Sequence, residues 1–318
     1  MRSVGNGARG FPPGGGMDRA RLALPCGSQN RDGGMRAPVA PCAARRWLAR
    51  LGPVVAVLAA APGAGTTCTA FHPDPLAPPG TSVGSPNDGW LVEGEAVPDR
   101  AAGLRAYRDG ERRHGARRTV EIVTETAAWL AARYEGAVLH VGDLSAAAGG
   151  RIPGHSSHRS GRDVDLLFFT RRPDGTPAAS ARFHRFGADG LAVGVSPPIR
   201  LDLERNWALV EHLLEEYPQD VQWIFVSWGV KTALIAWALA VGAKPATVEH
   251  ALSVLHQPSD SSPHDDHFHV RFYCAAEDLA WGCADRPPIW PWVRRRFDRT
   301  AHAPTDDEAL RELALGSL

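Results

Sequence analysis

Gly154-His155-Ser156-Ser157-His158-Arg159-Ser160-Gly161-Arg162-Asp163-Val164-Asp165 is answered later in the chain by His264-Asp265-Asp266-His267-Phe268-His269. Five of the 13 histidines fall in these two stretches beside several carboxylates, and each stretch leads into or lies in a short apolar run. A mononuclear zinc hydrolase needs such a supply. One histidine and one carboxylate come from the first segment, one histidine comes from the second, and a position stays open for water. The alternative is a chance gathering of surface histidines, against which their crowding into two clusters argues.

The spacing says how the side chains are aimed. His158 precedes an apolar run and Asp165 lies at its start, so a loop-to-strand segment directs both at one point. The helix-borne His-Glu-x-x-His signature is absent. Strand residues two apart share a face, so His267 and His269 project together while Phe268 turns into the core. The same spacing puts Asp163 on the face of Asp165, where it either orients a ligand or is a solvated loop carboxylate. The histidine of the pair that does not bind metal is free to act as base and proton shuttle.

Working outward, 318 residues allow one large domain or two ordinary ones. Basic and acidic residues number 35 each, so no global field steers the chain to nucleic acid or an anionic membrane. Glycine and proline concentrate in the N-terminal third. Residues 1–68 read as a dispensable extension carrying a secretory signal that starts at Met35. Arg45-Arg46-Trp47-Leu48-Ala49-Arg50 is its positive region, and Leu51 to Ala61 is an apolar stretch too short to span a bilayer. A lipid anchor on Cys68 is a poor fit, because Thr66-Thr67 does not match a lipoprotein cleavage site. Export makes a disulfide between Cys274 and Cys283 the expectation, pinning the end of the strand after the second cluster. Two free thiols are the alternative, and Cys68 is left over.

A linker at 69–80 leads to the catalytic domain, 81–285, and a tail at 286–318 whose role is not readable. Residues 72–98, rich in Pro, Gly and Ser, read as an extended lead-in. Val120, Val123, Ala127, Leu130 and Tyr134 mark the buried face of a helix ended by Gly136. Ala137–Val141 reads as a strand, and Val164–Phe169 as the strand after the first motif. A polar segment covers 170–200. Leu203, Trp207, Val210 and Leu214 give a second helix, 221–226 a strand, 230–241 a helix, and 268–273 a last strand. The fold class expected is α+β, a small, largely antiparallel sheet with flanking helices that carries the metal site.

Taken with Ser82-Val83-Gly84-Ser85-Pro86-Asn87, Val141-Gly142-Asp143-Leu144-Ser145, Gly149-Gly150-Arg151 and Ile224-Phe225-Val226, the two histidine motifs resemble those of the penicillin-insensitive murein endopeptidases. That family sits among the zinc peptidases of the lysostaphin, D-Ala-D-Ala peptidase and hedgehog group. The resemblance covers roughly 80 to 285. It implies one zinc per chain on His158, Asp165 and His269, which His155 can also approach. It implies His267 as catalytic base or transition-state stabiliser, and His264 as a supporting catalytic histidine. Cys274 and Cys283 match a family disulfide position, whereas the family's other cysteine pairs are missing. Asp265-Asp266 would add negative charge near the substrate. The implied activity is hydrolysis of D-alanyl to meso-diaminopimelyl cross-links in the periplasm. Ser156 and Ser157 are then loop hydrogen-bonders, with no serine nucleophile needed. A D,D-carboxypeptidase is the nearest rival and needs a cation for the substrate's carboxylate, with Arg151 and Arg271 as candidates. A non-catalytic zinc-binding wall module is the rival from another class.

Overall fold

Along Asp163-Val164-Asp165-Leu166 the side chains alternate polar and apolar, and the strand they form is the middle of the molecule's main sheet. The computed structural model describes residue 74 and residues 76–108, 110–178 and 182–294. The expected leader, Cys68 and the last part of the tail lie outside the described residues.

The main sheet has seven strands: β1 (Arg100–Ala101), β2 (Leu104–Ala106), β3 (Leu139–Val141), β4 (Asp163–Leu167), β5 (Val221–Phe225), β6 (Leu255–His256) and β7 (His267–Phe272), in the spatial order β6-β5-β7-β4-β3-β2-β1. The four helices are α1 (Arg117–Arg133), α2 (Leu203–Glu216), α3 (Trp228–Ala240) and α4 (Pro245–Val254). The class is α+β as expected, but the sheet is more mixed than the sequence suggests. Its central pairs β3/β4, β4/β7 and β7/β5 are antiparallel, as is β1/β2, whereas β2/β3 and β5/β6 are parallel. Helical crossovers explain both exceptions, because a strand that returns through a helix lies parallel to the one it left. Here α1 joins β2 to β3, and α3 with α4 joins β5 to β6.

Alternation along the strands divides the sheet into two faces. Leu104, Leu139, Val164, Leu166, Ile224, Phe268 and Val270 turn one way and join Val120, Val123 and Leu130 of α1, Trp207, Val210 and Leu213 of α2, and Val248 and Val254 of α4 in one core. The other face carries the polar and aromatic set. An irregularity in the pairing of β5 with β7 between Val221 and Trp223 swings Trp223 and Phe225 to that side. The predicted helices match α1, α2 and α3 to within two residues at most ends, with Asp202 and Ser227 capping α2 and α3 through their side chains. α4 is absent from the sequence reading; its signals are Pro245 in the first turn and three-residue spacing of Val248, Ala251 and Val254.

Two parts read as lead-in and tail hold the site in place. Thr81–Ser85 and Asp88–Val92 form an antiparallel hairpin rather than an extended linker. Arg162, fully buried, donates from Nε to Ser82 Oγ (3.1 Å), from Nη1 to the Phe272 carbonyl (3.0 Å) and Asp285 (2.9 Å), and from Nη2 to the carbonyls of Gly84 (3.2 Å) and Ala284 (3.0 Å). One guanidinium therefore joins the hairpin, the end of β7 and the loop after Cys283, directly before Asp163. A Cys274–Cys283 disulfide closes the same corner. The first part of the tail docks on the body: Trp290 Nε1 donates to the Gln222 carbonyl (2.7 Å), and Trp290 and Trp292 pack against the core. Among the described residues no helix is long and apolar enough to cross a membrane.

Candidate metal centre

β4 and β7 are hydrogen-bonded neighbours in which His269 pairs with Asp165 and Arg271 with Asp163. That register, joined to the loop that delivers His158, brings the two sequence motifs to one point. Asp165 is the hub. Its Oδ1 lies 3.3 Å from His158 Nε2, 3.3 Å from His267 Nε2 and 3.4 Å from His269 Nδ1. Ligands held tetrahedrally at about 2.0–2.1 Å from a zinc-like ion stand about 3.3–3.4 Å from one another, so the separations suit a shared cation.

Satisfaction of polar atoms gives an independent check. Nδ1 and Nε2 of His158, Oδ1 of Asp165, Nδ1 of His264 and Nε2 of His269 are buried without a hydrogen-bond partner. Each such atom costs about 1–3 kcal/mol if left unmet, and the two that face each other, His158 Nε2 and Asp165 Oδ1, are what a metal ion would relieve. His155, His158 and Asp165 form one group able to hold an ion, and His264, His267 and His269 form another, each with ligand atoms within 4.8 Å of one another.

Neighbouring groups orient the donors. Asp163 is fully buried and takes a two-pronged contact from Arg271, Nε to Oδ1 at 2.8 Å and Nη2 to Oδ2 at 3.0 Å. Its Oδ2 also accepts the His158 backbone N–H at 3.0 Å and lies 3.5 Å from His269 Nε2. Of the two readings open for Asp163, the solvated loop carboxylate is thus excluded. His267 Nδ1 meets Asp266 Oδ1 at 2.6 Å, and His155 Nε2 meets Asp143 Oδ2 at 3.0 Å. His158 and His264 both have left-handed backbones, φ +62° and +53°. Such conformations cost a residue with a side chain about 1–3 kcal/mol and cluster at functional sites. The bond from His158 N–H to Asp163 offsets part of that cost.

Proton affinities follow from the same contacts. Burial pushes the Asp163 and Asp165 carboxyls up, but Arg271 and His269 around the first, and His158 and His267 around the second, hold both well below the usual carboxylate range. Burial also opposes charge on His267, yet Asp165 and then Asp266 outweigh it and lift the ring to about 10. His158 is raised against its burial by Asp165 in the same way. Burial wins at His269, and at His264, which burial and its two histidine neighbours push down to about 3.

Beside the centre lies a cleft of about 580 Å³, bounded by Trp223, Phe225 and His256 on one wall and by the loop through Asp260 on another. His155, His264, His269 and Arg271 reach it, whereas Arg151 is exposed and does not line it. Arg271 spends its fork on Asp163, so neither expected substrate-carboxylate holder stands free in the cleft. The expected excess charge of Asp265-Asp266 is also spoken for, since Asp265 pairs with Arg185 and Asp266 with His267. Asp143 has no role in the sequence reading. Its one signal there is its place directly after the strand in Val141-Gly142-Asp143, and it binds His155 and Arg108.

Comparison with known proteins places the chain among named relatives. A family model described as penicillin-insensitive murein endopeptidase matches residues 82–291. The protein of that name from Haemophilus influenzae is 26% identical over 212 residues, covering 65% of this chain and 68% of its own. The one from Escherichia coli O157:H7 is 28% identical over 214 residues, covering 65% and 70%. The one from Klebsiella pneumoniae strain 342 is 32% identical over a shorter stretch of 116 residues, 36% of this chain and 42% of its own.

Proposed function

The chain belongs to the penicillin-insensitive murein endopeptidase family, and from that premise we propose that it hydrolyses D-alanyl to meso-diaminopimelyl cross-links of peptidoglycan with one zinc ion held by His158, Asp165 and His269. The carrying observation is the buried Asp165 oxygen ringed by three imidazole nitrogens at 3.3–3.4 Å, with that oxygen and His158 Nε2 both buried without a hydrogen-bond partner. Export to the periplasm follows as part of the same proposal, since the substrate lies there.

Zinc bound at such a set supplies a Lewis acid for the scissile carbonyl and makes water acidic near neutral pH. The chain's residues do the rest. Asp163 fixes His158 through its backbone N–H and faces His269 Nε2, so that Nδ1 of His269 is the nitrogen turned to Asp165. His267 is anchored at Nδ1 by Asp266 and presents Nε2 to the centre. Protonated, as Asp165 and Asp266 favour in the empty site, it would stabilise the developing oxyanion; with a cation beside Asp165 opposing that charge, it would take the proton from water and pass it on. His264, which burial keeps uncharged at neutral pH, is a hydrogen-bonding wall of the cleft rather than a cation. Asp143 anchors His155 in a supporting position. With Arg271 tied to Asp163 and Arg151 outside the cleft, the carboxypeptidase reading lacks its carboxylate clamp, and the endopeptidase reading is favoured.

The test is incubation of the zinc-loaded protein with cross-linked meso-diaminopimelate peptidoglycan, with muropeptides quantified by mass spectrometry beside a chelated control. Dimers should disappear with matching gain of tetrapeptide monomers, and chelation should abolish this. Loss of terminal D-Ala alone would indicate the carboxypeptidase. An unchanged profile from protein that retains one zinc would leave a binding module.

A further inference from the structure

A second cavity, of about 530 Å³, lies on the far side of the metal centre from the aromatic cleft and is lined by Arg100, Arg105, Arg172, Arg205 and His140. It has apolar walls, among them Leu104, Leu167 and Phe169, and its lining contains no carboxylate side chain. The cations are arranged by the sheet itself. Arg100 of β1 sits directly opposite Arg105 of β2, and Arg105 pairs in turn with His140 of β3. Like charges set directly opposite in an antiparallel pair cost stability, and here no ion pair among the described residues relieves Arg100 or Arg105. Arg205 donates from Nη2 to the Glu135 carbonyl (2.9 Å) and has Asp202 3.7 Å from its Nε, which is buried without a hydrogen-bond partner. Arg172 donates to the Pro177 carbonyl (2.7 Å), which leaves Arg100 and Arg105 as the guanidiniums without counter-charge, and such a pair beside an apolar wall is a receptor for a planar oxyanion on an organic body.

Position gives the ligand class. Val141 pairs with Leu166 and Leu167 with His267, so the row His267, Leu167, His140, Arg105, Arg100 crosses the sheet on the face that carries the metal centre. Strands stand about 4.8 Å apart, which puts Arg105 about 15 Å from the strand bearing His267. A ligand engaged at the centre and extended across the strands reaches this pocket. We propose that the Arg100/Arg105/Arg172/Arg205 pocket is a second subsite that binds carboxylates of the peptidoglycan peptide remote from the bond being cut. This rests on the murein reading above for the identity of the ligand, and on the sheet geometry alone for its charge. The volume supports a peptide rather than a bare ion, since a cavity of 530 Å³ is of the size that encloses organic ligands.

The experiment compares the zinc-loaded full chain with R100S/R105S and R100K/R105K. Binding of a disaccharide-tetrapeptide monomer is measured by calorimetry, and hydrolysis of cross-linked dimers gives KM and kcat. Both guanidiniums are exposed, so the loss expected for R100S/R105S is roughly 10-fold in monomer affinity, with a similar rise in KM and a much smaller change in kcat. The lysine pair should recover part of it. A monomer with amidated carboxylates should bind wild type and R100S/R105S equally. Equal binding of the carboxylated monomer by wild type and R100S/R105S would overturn the proposal. So would arginine-dependent binding of inorganic pyrophosphate without binding of the monomer, which would mark a phosphate site instead. Uncut dimers combined with arginine-dependent monomer binding would sink the endopeptidase reading and leave the subsite standing.

Discussion

Asp163→Asn is the substitution that most directly tests how the centre is held. The change keeps shape and removes one charge. In the native protein this buried carboxylate serves Arg271 at 2.8 and 3.0 Å, the His158 N–H at 3.0 Å and His269 Nε2 at 3.5 Å. An amide keeps one acceptor, which can still serve either His158 or Arg271 but not both prongs and the ring. Two consequences have calculable size. Removing one partner of a buried ion pair costs about 3–5 kcal/mol, and the upper half applies only if Arg271, which borders the cleft, fails to reach water. Loss of the group that orients a metal-binding histidine costs about 10–100-fold in metal affinity, or about 1.4–2.7 kcal/mol. Zinc affinity should be measured by competition with a chromophoric chelator, and stability by denaturant unfolding of the metal-free form. A variant that unfolds at lower denaturant and binds zinc at least 10-fold more weakly is expected. Zinc affinity within twofold of wild type, in a folded variant, would refute the idea that Asp163 positions the ligands.

Three further outcomes are expected. His267→Ala should lower kcat by about 10²–10⁴ while zinc content stays near one per chain, whereas His158→Ala should lose both; metal analysis beside muropeptide turnover separates them. In the metal-free protein His267 is lifted to about 10, above its unfolded value of 6.5, so its contribution is fully present below pH 6.5 and is lost as pH rises through about 10. Thermal unfolding in chelator should therefore show a falling Tm between pH 7 and 10, and a flat Tm there would contradict the Asp165–His267 contact. Asp278 is buried beneath the hairpin, where burial pushes its carboxyl up to about 7 while the Ser82 N–H bond pulls the other way. Its folded pKa exceeds the unfolded one, so the folded state holds an extra proton between pH 4 and 7 and stability falls with pH across that window. Asp278→Asn should flatten that slope and raise stability at pH 8 by up to about 4 kcal/mol, readable in denaturant midpoints at pH 5 and pH 8.

The two histidine motifs, the strands that carry them and three of the four helices were legible because each depends on near neighbours. Period-2 alternation turns His267 and His269 to one side and Phe268 to the other, and three- and four-residue spacing gives α1 and α2 their buried faces. The same local logic misread 72–98, where glycine and proline conceal a hairpin whose purpose is distant: its Ser82 and Gly84 receive the Arg162 guanidinium. α4 is not legible because its ten residues place only Val248, Ala251 and Val254 at three-residue spacing, a weak periodic signal.

Sequence alone determined which residues could serve a metal, that they come from a loop-strand segment and a strand, and the family to which such a pair of motifs belongs. Only the tertiary structure decided that Asp163 is buried and orienting rather than solvated, that Arg271 is consumed by it, and that Asp265 and Asp266 face Arg185 and His267 rather than substrate. It alone aligned Arg100, Arg105 and His140 into one row. The physical reason is register: partners across a sheet are chosen by hydrogen bonding between strands far apart in sequence, and a carboxylate's role depends on which cation that pairing sets beside it.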